Sequence, residues 1–158
     1  MKINGKQLSE VNKEIVVIPR QSGDIVFTCS AVLDYDEFEK IHPEPKPPYI
    51  RRPGEKDAVP DLTDKEYQDK LQDRGRLKMN WMFLKSLLAT PGLEFETVKL
   101  NDPKTWDKLD EELMKSGFSL VERTQIMQGV MRANSLDFDY IEKARARFFA
   151  SQAAQVVK

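Results

Sequence analysis

"EIVVIPRQSGDIVFTCSAVL", residues 14–33, places two β-branched runs, Ile15–Ile18 and Ile25–Val32, on either side of Pro19, Gly23 and Asp24. Branched Cβ atoms favour extended backbone, while Pro, Gly and Asp interrupt it, so the stretch predicts a β-hairpin with a longer turn. In the second run Ile25, Phe27, Cys29, Ala31 and Leu33 alternate with Val26, Thr28 and Ser30, which leaves one face fit for burial. Cys29 lies on that face and reads as a small buried hydrophobe, because no nearby His or Lys would activate its thiolate. Two strands alone are marginally stable, so the hairpin needs a helix, a third strand or a partner against it.

Downstream, Asp34 is expected to cap a short helix with Tyr35, Phe38 and Ile41 at helical spacing, which His42-Pro43 stops. The acidic group Asp34, Asp36, Glu37 and Glu39 reads as favourable first-turn charge rather than as metal ligands. Residues 42–61 hold six prolines and no periodicity, the mark of a semi-rigid, polyproline-like connector. Within "IHPEPKPPYIRRPG" (41–54), Tyr49 and Ile50 gain nothing from exposure, and Arg51 and Arg52 can clamp carboxylates. These four residues favour a docking arm over a bare spacer or a P-x-x-P ligand.

Helical periodicity begins at Thr63. "TDKE" (63–66) predicts a capping box in which Thr63 caps and Glu66 reaches back, opening a helix to about Ala89 that can bend at Gly75. Leu77, Trp81, Leu84 and Leu88 fall on one face of it, Met79, Phe83 and Leu87 on another. "GLEFETVKL" (92–100) is readable as loop or strand. Three shorter helices follow. Asp102-Pro103 opens one with Trp106, Leu109 and Leu113, closed by Gly117; "SLVE" (119–122) is a capping box before Ile126, Met127, Val130 and Met131, ended by Asn134. Asp137 caps the last, whose apolar stripe is Ile141, Ala144, Phe148 and Phe149. The expected fold class is α+β. A β-hairpin part with a short helix spans 1–41, a proline-rich linker or docking arm 42–61, and a C-terminal helical bundle 62–158. One helical core of Trp81, Leu84, Trp106, Leu113, Ile126, Val130 and Phe148 is expected.

The formal net charge is −1, made of −2 over residues 1–61 and +1 over the rest, without the basic surplus that nucleic-acid binding requires. One Cys and one His provide neither a disulfide nor a zinc site. The glycines form no phosphate loop, and consecutive Asp110, Glu111 and Glu112 point in different directions round a helix. Lys143, Arg145 and Arg147 read as a solvated face. The expectation is a protein that is not an enzyme, with no metal or cofactor. "MKINGKQLSEVNKE" lacks the apolar stretch of a secretory signal, and the longest apolar runs are too short to span a bilayer, so a soluble protein of a reducing compartment is expected.

"WDKLDEELMKSGFSLVERTQIMQGVMRANSLDFDYIEKARARFF" (106–149) resembles the helical region of bacteriophage tail assembly chaperones. The elements that carry the resemblance are a helix led by Trp106, the turn Gly117-Phe118-Ser119 with Glu122, a helix ending in Asn134, and a last helix from Asp137. The hairpin and the proline segment have no counterpart in it. The resemblance implies a non-enzymatic factor of virion morphogenesis in the host cytoplasm, holding tape-measure and tail-tube proteins in an assembly-competent state. Methionine adapts to varied partners. Met127 and Met131 therefore join Tyr49, Ile50, Arg51 and Arg52 as candidate partner-binding residues. The rival reading is a structural virion subunit, a head–tail connector or tail accessory protein bound to neighbouring subunits. Both leave homo-oligomer formation open.

Overall fold

Asn4 and Gly5, with φ of 50° and 78°, turn the chain tightly enough to pair β1 (Lys2–Ile3) with β2 (Lys6–Gln7). The β-branched runs then form β3 (Lys13–Ile18) and β4 (Ile25–Ser30), an antiparallel pair in which Val16 faces Phe27 and Ile18 faces Ile25. Helix α1 (Asp36–Ile41) precedes a third small ladder, β5 (Tyr49–Ile50) with β6 (Val59–Pro60). Then come α2 (Lys65–Leu87), a 3₁₀ turn (Pro103–Lys108), α3 (Leu109–Lys115), α4 (Leu120–Ala133) and α5 (Phe138–Val156). This computed structural model describes residues 1–156, with side chains to Gln152, and its fold class is α+β. The last two residues of the 62–158 segment lie outside the described residues. Two compact units interleave along the chain: one takes residues 1–32, 85–94 and those from Leu113 onward, the other 33–84 and 95–112.

In the first unit α4 lies on the apolar face of the hairpin. Gly129 permits the approach: a Cβ there would overlap Val16 Cγ2 and come within 3.4 Å of Cys29 Sγ. Ile18, Phe27, Cys29, Ile126 and Val130 are buried, and burial pushes the Cys29 thiol up to about 11, which suits an inert packing residue. The outer edge of β4 is satisfied by side chains. Thr28 N–H donates to Thr90 Oγ1 (2.8 Å), the Ser86 hydroxyl donates to Ser30 C=O (2.8 Å), and Val32 N–H donates to Asn134 Oδ1 (2.8 Å). These bonds account for Ser86, a buried polar residue. The 119–122 capping box forms as expected. Arg20 adds a fork onto Glu122 (Nη2–Oε2 3.1 Å), and that bond, with the Ser119 backbone N–H, holds the Glu122 carboxyl down at about 2.

In the second unit Phe38 is fully buried, its ring 6.0 Å from both Trp81 and Trp106. Arg74 lies over Phe38 (5.1 Å), pairs with Glu39 and donates to His42 C=O (3.2 Å), which anchors the C-terminus of α1. Trp106 Nε1 donates to Lys99 C=O (2.9 Å). The Glu112 carboxylate accepts the N–H groups of Glu96, Thr97 (3.1 Å) and Val98 (2.9 Å), so residues 92–100 are held as a loop without becoming a strand.

Several expectations change. Asp34 does not cap α1: Tyr35 occupies that position, and Asp34 accepts from Asp36 N–H as a local turn (3.2 Å). No box forms at 63–66. Asp64, one residue later and as good a cap, accepts from Tyr67 N–H (2.8 Å), while Thr63 bonds Asp61 and Glu66 pairs with Lys70 (2.6 Å). Helix α2 is continuous through Gly75 and buries Leu77, Trp81, Leu84 and Leu87, leaving Met79 exposed; it ends at Leu87, short of Ala89, and Leu88 just beyond it is exposed. The single core also fails. Trp81, Leu84 and Trp106 belong to one unit, Leu113, Ile126 and Val130 to the other, and Phe148 is 57 % exposed.

The two helical glycines make opposite predictions. Gly75 has open space where a Cβ would stand, so Gly75→Ala should gain roughly 0.5–1 kcal/mol from backbone propensity. Gly129→Ala should instead lose roughly 1–3 kcal/mol, because Val16 must move. Urea titration of the pair tests this; an equal gain at both sites would put α4 farther from the hairpin than described.

Candidate partner-binding surface

The expected docking residues lie in two places. Tyr49 and Ile50 form β5 opposite Pro60 and Val59, and Asp61 N–H closes the ladder onto Pro48 C=O (2.7 Å). Tyr49 nevertheless stays 69 % exposed, and Arg51 and Arg52 are exposed beside it. Among the described residues neither Arg makes an ion pair; Arg52 adds to the bonds from Thr63 that lower the Asp61 carboxyl. The part of the proline segment that does lie on a helix is its beginning. Pro43 and Pro45 line a shallow groove of about 460 Å³ with Glu66, Asp69 and Asp73 of α2.

Met127 and Met131 are half-buried on α4. Met131 lines an open cleft of about 580 Å³ at the α4–α5 elbow with Gln128, Leu136, Phe138, Tyr140 and Lys143. The elbow is built by local bonds. Asn134 returns its side-chain amide to Val130 C=O (2.8 Å), and Ser135 takes φ 58° so that Leu136 N–H reaches Met131 C=O (2.8 Å). Asp137 accepts from Tyr140 N–H (3.0 Å), the cap read from the sequence, and from Arg132 Nε (3.1 Å). Those two bonds, the Tyr140 amide foremost, hold its carboxyl below the usual range.

Beyond the elbow, every described residue of α5 from Phe138 to Gln152 is exposed. At about 100° per residue, Phe138, Ile141, Phe148 and Phe149 fall on one side of the helix, and Lys143 and Arg147 on the other. The Phe148 and Phe149 rings meet edge to face at 5.5 Å, and the Arg145 guanidinium lies 5.9 Å from the Phe149 ring. The stripe expected to be core thus stands in water, with Glu142 and Arg145 on the same side between its two apolar ends. Sequence periodicity identifies such a stripe without stating what covers it. A second patch was not anticipated: Ile15, Val17 and Val26 are about half exposed on the hairpin face away from α4.

No group of His, Cys, Asp or Glu among the described residues could hold a metal ion, and no described helix is long and apolar enough to cross a membrane. Comparison with protein-family models, curated proteins and solved structures finds no match to this chain.

Exposure makes a direct prediction about α5. Replacing Phe148 and Phe149 together by Ser should change the unfolding free energy by no more than about 0.5 kcal/mol, as for other surface sites. Phe38→Ala should cost roughly 3–5 kcal/mol. A loss above about 2 kcal/mol in the α5 variant, read by urea titration, would return Phe148 to a core.

Proposed function

We propose that the protein is a non-enzymatic phage tail assembly chaperone acting in the host cytoplasm, with α5 as the element that docks tape-measure or tail-tube proteins. The observation that carries this reading is the exposed stripe Phe138, Ile141, Phe148 and Phe149, of which Phe138, Phe148 and Phe149 stand most fully in solvent. Exposed large apolar side chains gathered on one side of a helix are a usual mark of an interaction site. An amphipathic helix of this pattern fits a hydrophobic groove in a partner, with anchors about one turn apart. Met131 at the base of the stripe, flexible and polarizable, adapts the elbow cleft to more than one client. The resemblance in residues 106–149 supports the same reading, since α3, α4 and α5 are the helices that carry it.

The structural-subunit reading keeps one supporting observation. Tyr49, Arg51 and Arg52 form a separate exposed, amphipathic tip, which would suit a second contact to a neighbouring virion subunit.

The test is co-expression with the tail-tube and tape-measure proteins of the encoding phage. Wild type should keep one of them soluble in a stable complex, and the Phe148→Ser, Phe149→Ser variant should lose that complex at normal expression. Failure of wild type to bind either, together with recovery of the protein in stoichiometric amounts in mature particles, would replace the chaperone reading with the structural one.

A further inference from the structure

We infer that the outer edge of β3 accepts an extended segment of a partner protein as an added antiparallel strand. The segment it fits carries two apolar residues at alternate positions and a carboxylate two residues after the second. The inference is independent of the reading of α5 and concerns the other apolar patch, on the hairpin.

The bonding pattern of the hairpin fixes what that edge offers. Backbone groups along an antiparallel strand point alternately toward the partner strand and away from it. On β4 and just after it, Thr28, Ser30 and Val32 point away, since their backbone groups bond the side chains of Thr90, Ser86 and Asn134. Phe27, Cys29 and Ala31 therefore face β3, and Ala31 N–H donates to Asn12 C=O (2.9 Å) as that alternation requires. The register then turns Glu14 and Val16 toward β4 and turns Lys13, Ile15 and Val17 outward. Among the described residues the outward backbone groups of these three make no hydrogen bond, and no third strand joins the pair.

The fold thus covers one edge of the hairpin with side chains and leaves the other open. Lys13 and Pro19 bound the open row, as charges and prolines do on natural edges, but nothing blunts the two rungs between them. The side chains at those rungs, Ile15 and Val17, are 54 % and 51 % exposed on the face away from α4. Strand alternation puts the exposed Lys13 on the same face, and no ion pair of Lys13 is found among the described residues.

Free rungs of this kind bond to backbone, so their occupant is an extended chain, and the side chains along the edge set its sequence. An antiparallel segment presents apolar side chains opposite Val17 and Ile15 and a carboxylate opposite Lys13. A second copy of β3 fits less well. In the registers that keep Ile15 and Val17 both paired, it sets Ile15, Val17 or Pro19 opposite Lys13 and leaves that charge unmatched.

Titration of the isotope-labelled protein with the synthetic peptide TVTITET, followed by amide NMR, tests the inference. In the antiparallel alignment the peptide's Val, Ile and Glu lie opposite Val17, Ile15 and Lys13. The Lys13, Ile15 and Val17 amides should shift saturably and become protected from exchange. N-methylation of the peptide at its Val and Ile should abolish binding. Val17→Pro should abolish it too, since it removes an outward N–H and no β3–β4 bond. Lys13→Glu, at an exposed site, should weaken binding about twofold to fivefold and reverse the preference toward TVTITKT. The Phe148→Ser, Phe149→Ser variant should bind the peptide as wild type does. Absence of a saturable shift at these amides overturns the inference, as does binding that survives N-methylation, or a Lys13→Glu variant with wild-type preference. Loss of the peptide in the α5 variant would move the site to α5. Protection of Ile15 and Val17 that grows with the concentration of the free protein would give the edge to a second copy, and the inference falls in both cases.

Discussion

The close approach of α4 to the β3–β4 hairpin at Gly129 is the constraint on which the first unit depends. Val16 and Cys29 fill the space that any side chain at position 129 would need. With that gap closed, Ile126, Val130 and Ala133 seal the apolar side of the hairpin, and a ladder too small to stand alone becomes one wall of a core. The polar edge is settled by the same approach. Asn134, at the end of α4, accepts from Val32 N–H, and Asn12 donates to Ala133 C=O (2.8 Å).

That arrangement determines the circumstances of α5. The hairpin offers one buried face, and α4 occupies it. After the elbow at Ser135, α5 continues with its Phe residues in solvent. A helix of this length gains little from propensity alone and draws its stability from packing an apolar face. Its stripe is therefore the surface on which the proposed docking rests.

The local syntax was legible in the sequence because each signal is satisfied within a few residues. The hairpin alternation, the 119–122 capping box, Gly117 at φ 88° and the Asp137 cap all stand where residue chemistry put them. The failures have a common physical origin. At 63–66 two competent caps lie side by side, and pattern alone does not choose between Thr63 and Asp64. Glu112 looked like one of three scattered acids, yet it ties down three backbone N–H groups of a distant loop. Phe148 has the periodicity of a core residue, but burial depends on which element arrives to cover it. The same holds for Tyr49, whose proline segment closes into a ladder and leaves the ring exposed.

The claim that α5 beyond the elbow stands in solvent is tested most directly by amide hydrogen exchange at low protein concentration. The account predicts that the amides of Tyr140–Phe149 exchange much faster than those of Ile126–Val130, and that they become protected when a second chain is bound. Equal protection of the two helices in the dilute single chain would contradict it.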